Sequence, residues 1–317
     1  MKNRRNSQIP LTFLAVFLAL ALSTPVSATG GITAKYLYTL SSFTGTVPFS
    51  WVRNFVDGER DEIFVVTGES VSIFNESGME VYRFGDDLDL GVLRDASVEG
   101  NGDILLLSLK GDKFLITRCN FRGEPKTRVE LRNIPAEFAG MTPGRIISRD
   151  GKLYLADLFE KKVVVTDAQG VFREGYDIAP LLAGYEDKPG VENNIVGFTV
   201  GPEGNLFFTI PSLFKVFRLS PDRQLSSFGE PGNRQGKFNI VSGIAVDERG
   251  NIFVTDTLRS VVAVFDREFK FQTQFSRRGL EPGSLIAPND LSIDKRSRLY
   301  VSQARKRGIS VFQITYD

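Results

Sequence analysis

The stretch "GIAVDERGNIFVTD", Gly243 to Asp256, is the clearest copy of a pattern that recurs along the whole chain. Two apolar runs of strand length, "IAV" and "IFV", flank the polar, glycine-bearing "DERGN", which is a hairpin signal. The second run returns as "EIFVVT" at Glu62, "DILLLS" at Asp103, "KLYLAD" at Lys152, "NLFFTI" at Asn205, "NIFVTD" at Asn251 and "RLYVSQ" at Arg298. The steps between copies are 41, 49, 53, 46 and 47 residues, a period that signals a propeller or a related repeat array. Each run is apolar on both faces. That suits a central strand covered on each side by a neighbouring blade, and not a strand with one wet face.

Every cycle continues with a third strand and usually a fourth, as in "VVAVFD" (Val261 to Asp266) followed by "KFQTQF" (Lys270 to Phe275). Four strands per cycle is the blade pattern of a propeller. The last cycle stops after its third strand, "ISVFQIT", while an orphan strand, "KYLYTLSSF" (Lys35 to Phe43), precedes the first cycle. The reading is an all-β, six-bladed β-propeller with four-stranded antiparallel blades. The N-terminal strand completes the last blade, closing the ring and removing a sheet edge.

Ahead of the repeats, "MKNRR" is a positive n-region, Leu11 to Leu22 is an apolar run of 12, and "PVSA" ends in small residues, so a signal peptide over residues 1–28 is expected. A run of 12 falls short of the ~20 residues that span a bilayer. Removing residues 1–28 takes away Lys2, Arg4 and Arg5 and no acid, leaving 36 basic against 38 acidic residues. The expectation is an exported, secreted or periplasmic protein with one domain over 29–317, monomeric and without a transmembrane span in its mature part. The lone Cys119, in "FLITRCNF", reads as a small buried hydrophobe and can form no intramolecular disulfide.

The segment Phe228 to Asp266, with its glycine-rich approach, G-x-A-V-D, G-N-I-F-V-x-D and V-x-V-F-D, resembles an NHL repeat, of the kind found in secreted bacterial-type NHL proteins. The resemblance is strong in blade five and recognisable in blades three, four and six. It implies a fold more than an activity, since related six-bladed propellers include protein-binding and RNA-binding domains, amidating lyases and gluconolactonase-type lactonases. The chain has no histidine, which removes imidazole-based zinc sites, His-activated nucleophiles and His acid/base chemistry. Nucleic acid is not an expected partner of an exported, nearly neutral chain.

Counting back nine residues from the second residue of each apolar run lands on Asn54, Asp95, Gly144, Gly197, Gly243 and Asp290. These are expected to begin the innermost strands at the mouth of the central channel, where crowded backbones favour glycine. Asn54, Asp95 and Asp290, with the adjacent Asn289, form an oxygen-donor set of a type that suits a hard cation such as calcium. The competing reading is that Asp95 pairs with Arg94 or a rim lysine and binds no ion.

Basic residues on the same face include Arg53, Arg94, Arg145, Lys161, Lys162 and Arg259, and "ARKRG" (Ala304 to Gly308) supplies Arg305, Lys306 and Arg307. Glu69, Asp112, Glu160 and Asp256 are interspersed, so a mixed solvated rim competes with a partner-binding one. Trp51 is either an interface anchor or a plug between blades. The Tyr176 to Asn194 segment is long enough to reach over the channel mouth. The function expected is a rigid, non-catalytic platform that binds a protein or an anionic envelope polymer through its channel face. The alternative is a metal-dependent hydrolase or lactonase using Asn54, Asp95, Asn289 and Asp290.

Overall fold

The structure, a computed structural model, describes residues 31–41, 52–57, 60–86, 89–185, 193–304 and 308–317. The expected leader, Trp51 and Arg305 to Arg307 lie outside the described residues. No helix among the described residues is long and apolar enough to cross a membrane.

A single N-terminal strand, β1 (Ile32–Thr39), precedes the blades. Blade one follows as β2 (Arg53–Asp57), β3 (Glu62–Val66), β4 (Val71–Phe74) and β5 (Glu80–Phe84), and blade two as β6 (Val92–Val98), β7 (Ile104–Lys110), β8 (Lys113–Cys119) and β9 (Pro125–Arg128). Blade three is β10 (Arg145–Arg149), β11 (Lys152–Asp157), β12 (Lys162–Asp167) and β13 (Phe172–Asp177); blade four is β14 (Phe198–Val200), β15 (Leu206–Ile210), β16 (Lys215–Leu219) and β17 (Leu225–Phe228). Blade five is β18 (Val241–Val246), β19 (Ile252–Asp256), β20 (Val261–Phe265) and β21 (Phe271–Phe275), and blade six opens with β22 (Pro288–Ile293), β23 (Arg298–Gln303) and β24 (Ile309–Tyr316).

The fourth strand of blade six is β1, antiparallel to β24 with Ile32 opposite Tyr316 and Thr39 opposite Ser310. The expected ring closure is therefore present, with the strand beginning three residues earlier than Lys35. Beyond β1 the chain passes to blade one, where Ser41 bridges Met79 and the Tyr38 hydroxyl donates to the Glu76 carbonyl at 2.5 Å. One segment thus ties the last blade to the first.

The two-faced apolarity of the second strands has a direct cause. In β7, Ile104 and Leu106 pack into the cluster shared with blade one, while Leu105 and Leu107 pack into the cluster shared with blade three. In β19, Ile252 and Val254 face blade four and Phe253 faces blade six. Successive side chains on a strand point to opposite faces, and here each face meets another blade. Six such clusters fill the gaps between neighbouring blades, each buried Leu, Ile, Val or Phe contributing roughly 1.5–3 kcal/mol. Cys119 lies in the cluster between blades one and two, where burial pushes its thiol up to about 11 and keeps it unreactive at neutral pH.

The hairpins between third and fourth strands are closed by local side-chain bonds. Asp266 Oδ1 accepts the amides of Glu268 and Lys270 at 3.0 and 2.9 Å, and Asp167 does the same for Gln169 and Val171. The aspartate ending V-x-V-F-D is thus an Asx-turn former. Asp256, counted among the rim acids, is buried and caps the loop after β19, accepting from Arg259 N at 3.0 Å and from Asn239 N at 2.8 Å.

Candidate binding site at the channel mouth

The inner strands β2, β6, β10, β14, β18 and β22 line the channel, and pairing with the second strands sets which residue of each faces the same level. Opposite the third residue after each counted position of the apolar run stand Arg53 (against Val66), Asp95 (Leu107), Arg145 (Ala156), Gly197 (hydrogen-bonded to Thr209), Gly243 (hydrogen-bonded to Thr255) and Asp290 (Ser302). The uniform count of nine therefore fails in blades one and three. In blade one Val56 pairs with Ile63, a hairpin one residue longer than in blade two, where Val98 pairs with Ile104; in blade three Ser148 pairs with Leu153, one residue shorter. The slip replaces Asn54 by Arg53 and Gly144 by Arg145. The short hairpin was legible, since "RDGK" places Asp150 and Gly151 in a two-residue turn with φ of 51° and 72°, the geometry that Asp-Gly favours.

At blades four and five the glycines are required. A Cβ on Gly197 would lie 2.2 Å from the Ser242 carbonyl oxygen, and one on Gly243 would lie 2.8 Å from both the Asn289 oxygen and the Asp290 Cα. Thr209 spans the first approach, accepting the Gly197 amide at 2.8 Å and donating to the Ser242 carbonyl at 2.5 Å, and the Ser242 hydroxyl spans the second by donating to the Asn289 carbonyl at 3.2 Å, while Thr255 accepts the Gly243 amide within blade five at 2.7 Å. Gly144 has nothing within 4 Å of its added Cβ, so crowding does not explain it.

The other four blades fill the axis with charge. Arg145 Nε lies 2.9 Å from Asp95 Oδ2, and its Nη1 lies 3.5 Å from Oδ1 of Asp290, on the blade opposite in the ring. Arg53 Nη1 approaches the same Asp290 oxygen at 3.5 Å. Each carboxylate also accepts an amide of the next inner strand: Asp290 Oδ2 from Asn54 N at 3.2 Å, and Asp95 Oδ2 from Ile146 N at 3.0 Å. Burial pushes the Asp95 carboxyl up, against the pull of Arg145 and Arg53. Burial also works against the Arg145 guanidinium, but Asp95 and Asp290 outweigh it and hold that group above its ordinary value. Repulsion from Arg145, followed by burial, pulls Arg53 down.

Asn54, Asp95 and Asp290 are thus brought together, but around a guanidinium. Arg145 supplies the positive charge that the donor set was expected to take from a cation, and Asn54 is engaged by Ser302, to which its Nδ2 donates at 2.8 Å, and by the Ser292 hydroxyl. Asn289 sits at a register shift of β22 with Oδ1 unpartnered, and Arg94, exposed, sits at the corresponding shift of β6. No group of three or more His, Cys, Asp or Glu positioned for a metal occurs among the described residues. Asp95 pairs with Arg145 from the next blade and not with Arg94.

Above this closed floor, the loops of the channel face expose large apolar side chains. Phe159 and Leu258, on the loops between second and third strands of blades three and five, are 69% and 55% exposed. Val92, Val196 and Ile240, at the approaches to inner strands, are exposed as well. The long link after β13 does not supply a cover over its described length, because Ile178, Leu182 and Ile195 are buried between blades three and four.

No known family model matches the chain. A stretch of 70 residues is 36% identical to the protein brain tumor of Drosophila melanogaster, covering 22% of this chain and only 7% of that protein's length. Among solved structures, a protein of unknown function from Bacteroides thetaiotaomicron is similar at a TM-score of 0.63 and 13% identity, over 90% of this chain and 76% of that one. A streptogramin B lyase matches at 0.56 and 14% identity, over 90% and 98% of the two chains, and a gluconolactonase from Xanthomonas campestris at 0.57 and 11%, over 90% of each. At these identities the likeness is one of fold.

Proposed function

We propose that the protein is an exported NHL-type propeller that serves as a rigid platform, binding a protein partner through the channel face. The observation that carries the reading is the ring's entrance: a floor closed by a cross-ring ion cluster, surrounded by exposed Phe159, Leu258, Val196 and Ile240. A contiguous apolar patch rimmed by polar groups marks a protein interaction site, and the bond from Thr257 N to the Ile240 carbonyl at 2.9 Å brings Ile240 beside the loop of Leu258. The leader-like pattern of residues 1–28 supports export, and the 70-residue likeness to the protein brain tumor agrees with the NHL resemblance.

The lyase and lactonase readings lack their chemistry here. A solved virginiamycin B lyase described as catalytically inactive has a histidine replaced by alanine, and this chain contains no histidine. The gluconolactonase-type alternative would use Asp95 and Asp290 for a cation, and both carboxylates are turned toward Arg145. Bait protein carrying Phe159→Asp and Leu258→Asp should lose its partners from an extract of the source cells, while Phe121→Ser, on the opposite face, should keep them. Capture lost only with the Phe121 change would overturn the assignment of the face.

A further inference from the structure

Arg53 is the member of the channel cluster that reaches solvent: its side chain is 28% exposed, against 3–9% for Asp290, Asp95 and Arg145. A guanidinium carries five N–H donors in a planar fork, yet among the described residues the Arg53 side chain makes a single polar contact, the 3.5 Å approach to Asp290 Oδ1. Asp290 is divided among several donors, that oxygen being shared with Arg145 and the other accepting the Asn54 amide. Arg53 therefore stands at the mouth with most of its donors committed to no other protein group.

We propose that Arg53 is the docking point for a carboxylate of the partner, either an Asp or Glu side chain or a chain terminus, gripped by the free edge of its guanidinium. The inference rests on the channel face being the binding face. Repulsion from the buried Arg145 is the largest influence on Arg53, and a carboxylate seated on the free edge of the fork would offset it. A planar carboxylate matches the guanidinium fork edge to edge. The charges of Arg53, Arg145, Asp95 and Asp290 sum to zero, so the cluster as a whole exerts little net pull and the attraction on a guest is concentrated at the free edge of the Arg53 fork.

The test is a titration of the arginine Nε–Hε signals in the NMR spectrum of the mature protein, using sodium acetate, sodium chloride at matched ionic strength, and inorganic phosphate. The Arg53 signal, assigned by its loss in Arg53→Lys, should shift saturably with acetate and not with chloride. A signal that ignores acetate, responds equally to chloride, or saturates at lower phosphate than acetate overturns the proposal. In partner capture, Arg53→Lys, which keeps the cluster neutral, should weaken binding roughly tenfold or more, the scale of a lost charge-assisted fork. Capture that falls with Phe159→Asp and Leu258→Asp but is untouched by Arg53→Lys sinks the carboxylate anchor and leaves the platform standing. Acetate binding at Arg53 with capture indifferent to the whole channel face does the reverse.

Discussion

The inner wall of the ring is built in two ways. In blades four and five, the inner strand touches that of the next blade backbone to backbone across Gly197 and Gly243, and the Thr209 and Ser242 hydroxyls fasten these contacts. In blades one, two, three and six, the same level is occupied by Arg53, Asp95, Arg145 and Asp290, whose side chains reach over the axis. The first construction depends on the absence of a side chain; the second depends on a complete set of opposite charges. Each is vulnerable to a different kind of substitution.

The largest effect is expected from Arg145→Met, which keeps apolar bulk but strands Asp95 and Asp290 in a buried site without their shared cation. Removing one partner of a buried pair costs about 3–5 kcal/mol, and denaturant unfolding of the variant should show a loss of that order. A loss below about 1 kcal/mol would mean that water reaches the carboxylates and that the cluster is no plug.

A smaller effect separates the glycines. Gly243→Ala places a methyl against the backbone of Asn289 and Asp290 and should cost about 1–3 kcal/mol, the range for overpacking. Gly144→Ala meets nothing within 4 Å and should change stability by no more than about 0.5 kcal/mol. Equal effects at the two positions would erase the distinction between the two constructions.

The smallest effect concerns the cation once expected at Asn54, Asp95, Asn289 and Asp290. With Arg145 between the carboxylates, millimolar calcium should leave the melting temperature unchanged, since only an ion that binds the folded state raises stability by mass action. A calcium-dependent rise that disappears in Asp290→Asn would restore the cation site and displace Arg145 from its role.

How far the site was legible depends on hairpin length. The apolar runs announce the blades because each second strand buries both faces, and that pattern survives any small change in loop length. The channel level does not survive it. One residue more in the first hairpin of blade one and one fewer in that of blade three move Arg53 and Arg145 into the places assigned to Asn54 and Gly144. The Asp150-Gly151 turn carried half of this correction in the sequence, whereas the extra residue in blade one has no comparable signature.

The sequence by itself determined the strand content, the number of blades and the strand that closes them, because these follow from local apolar periodicity and from unpaired strands at the two termini of the repeat array. Only the tertiary structure decided that Arg145 meets Asp290, 145 residues away and on the opposite blade. Charge composition states how many arginines and aspartates exist, but which of them share a desolvated axis is set by ring closure and by strand register. Those two constraints exist only after all six blades are packed.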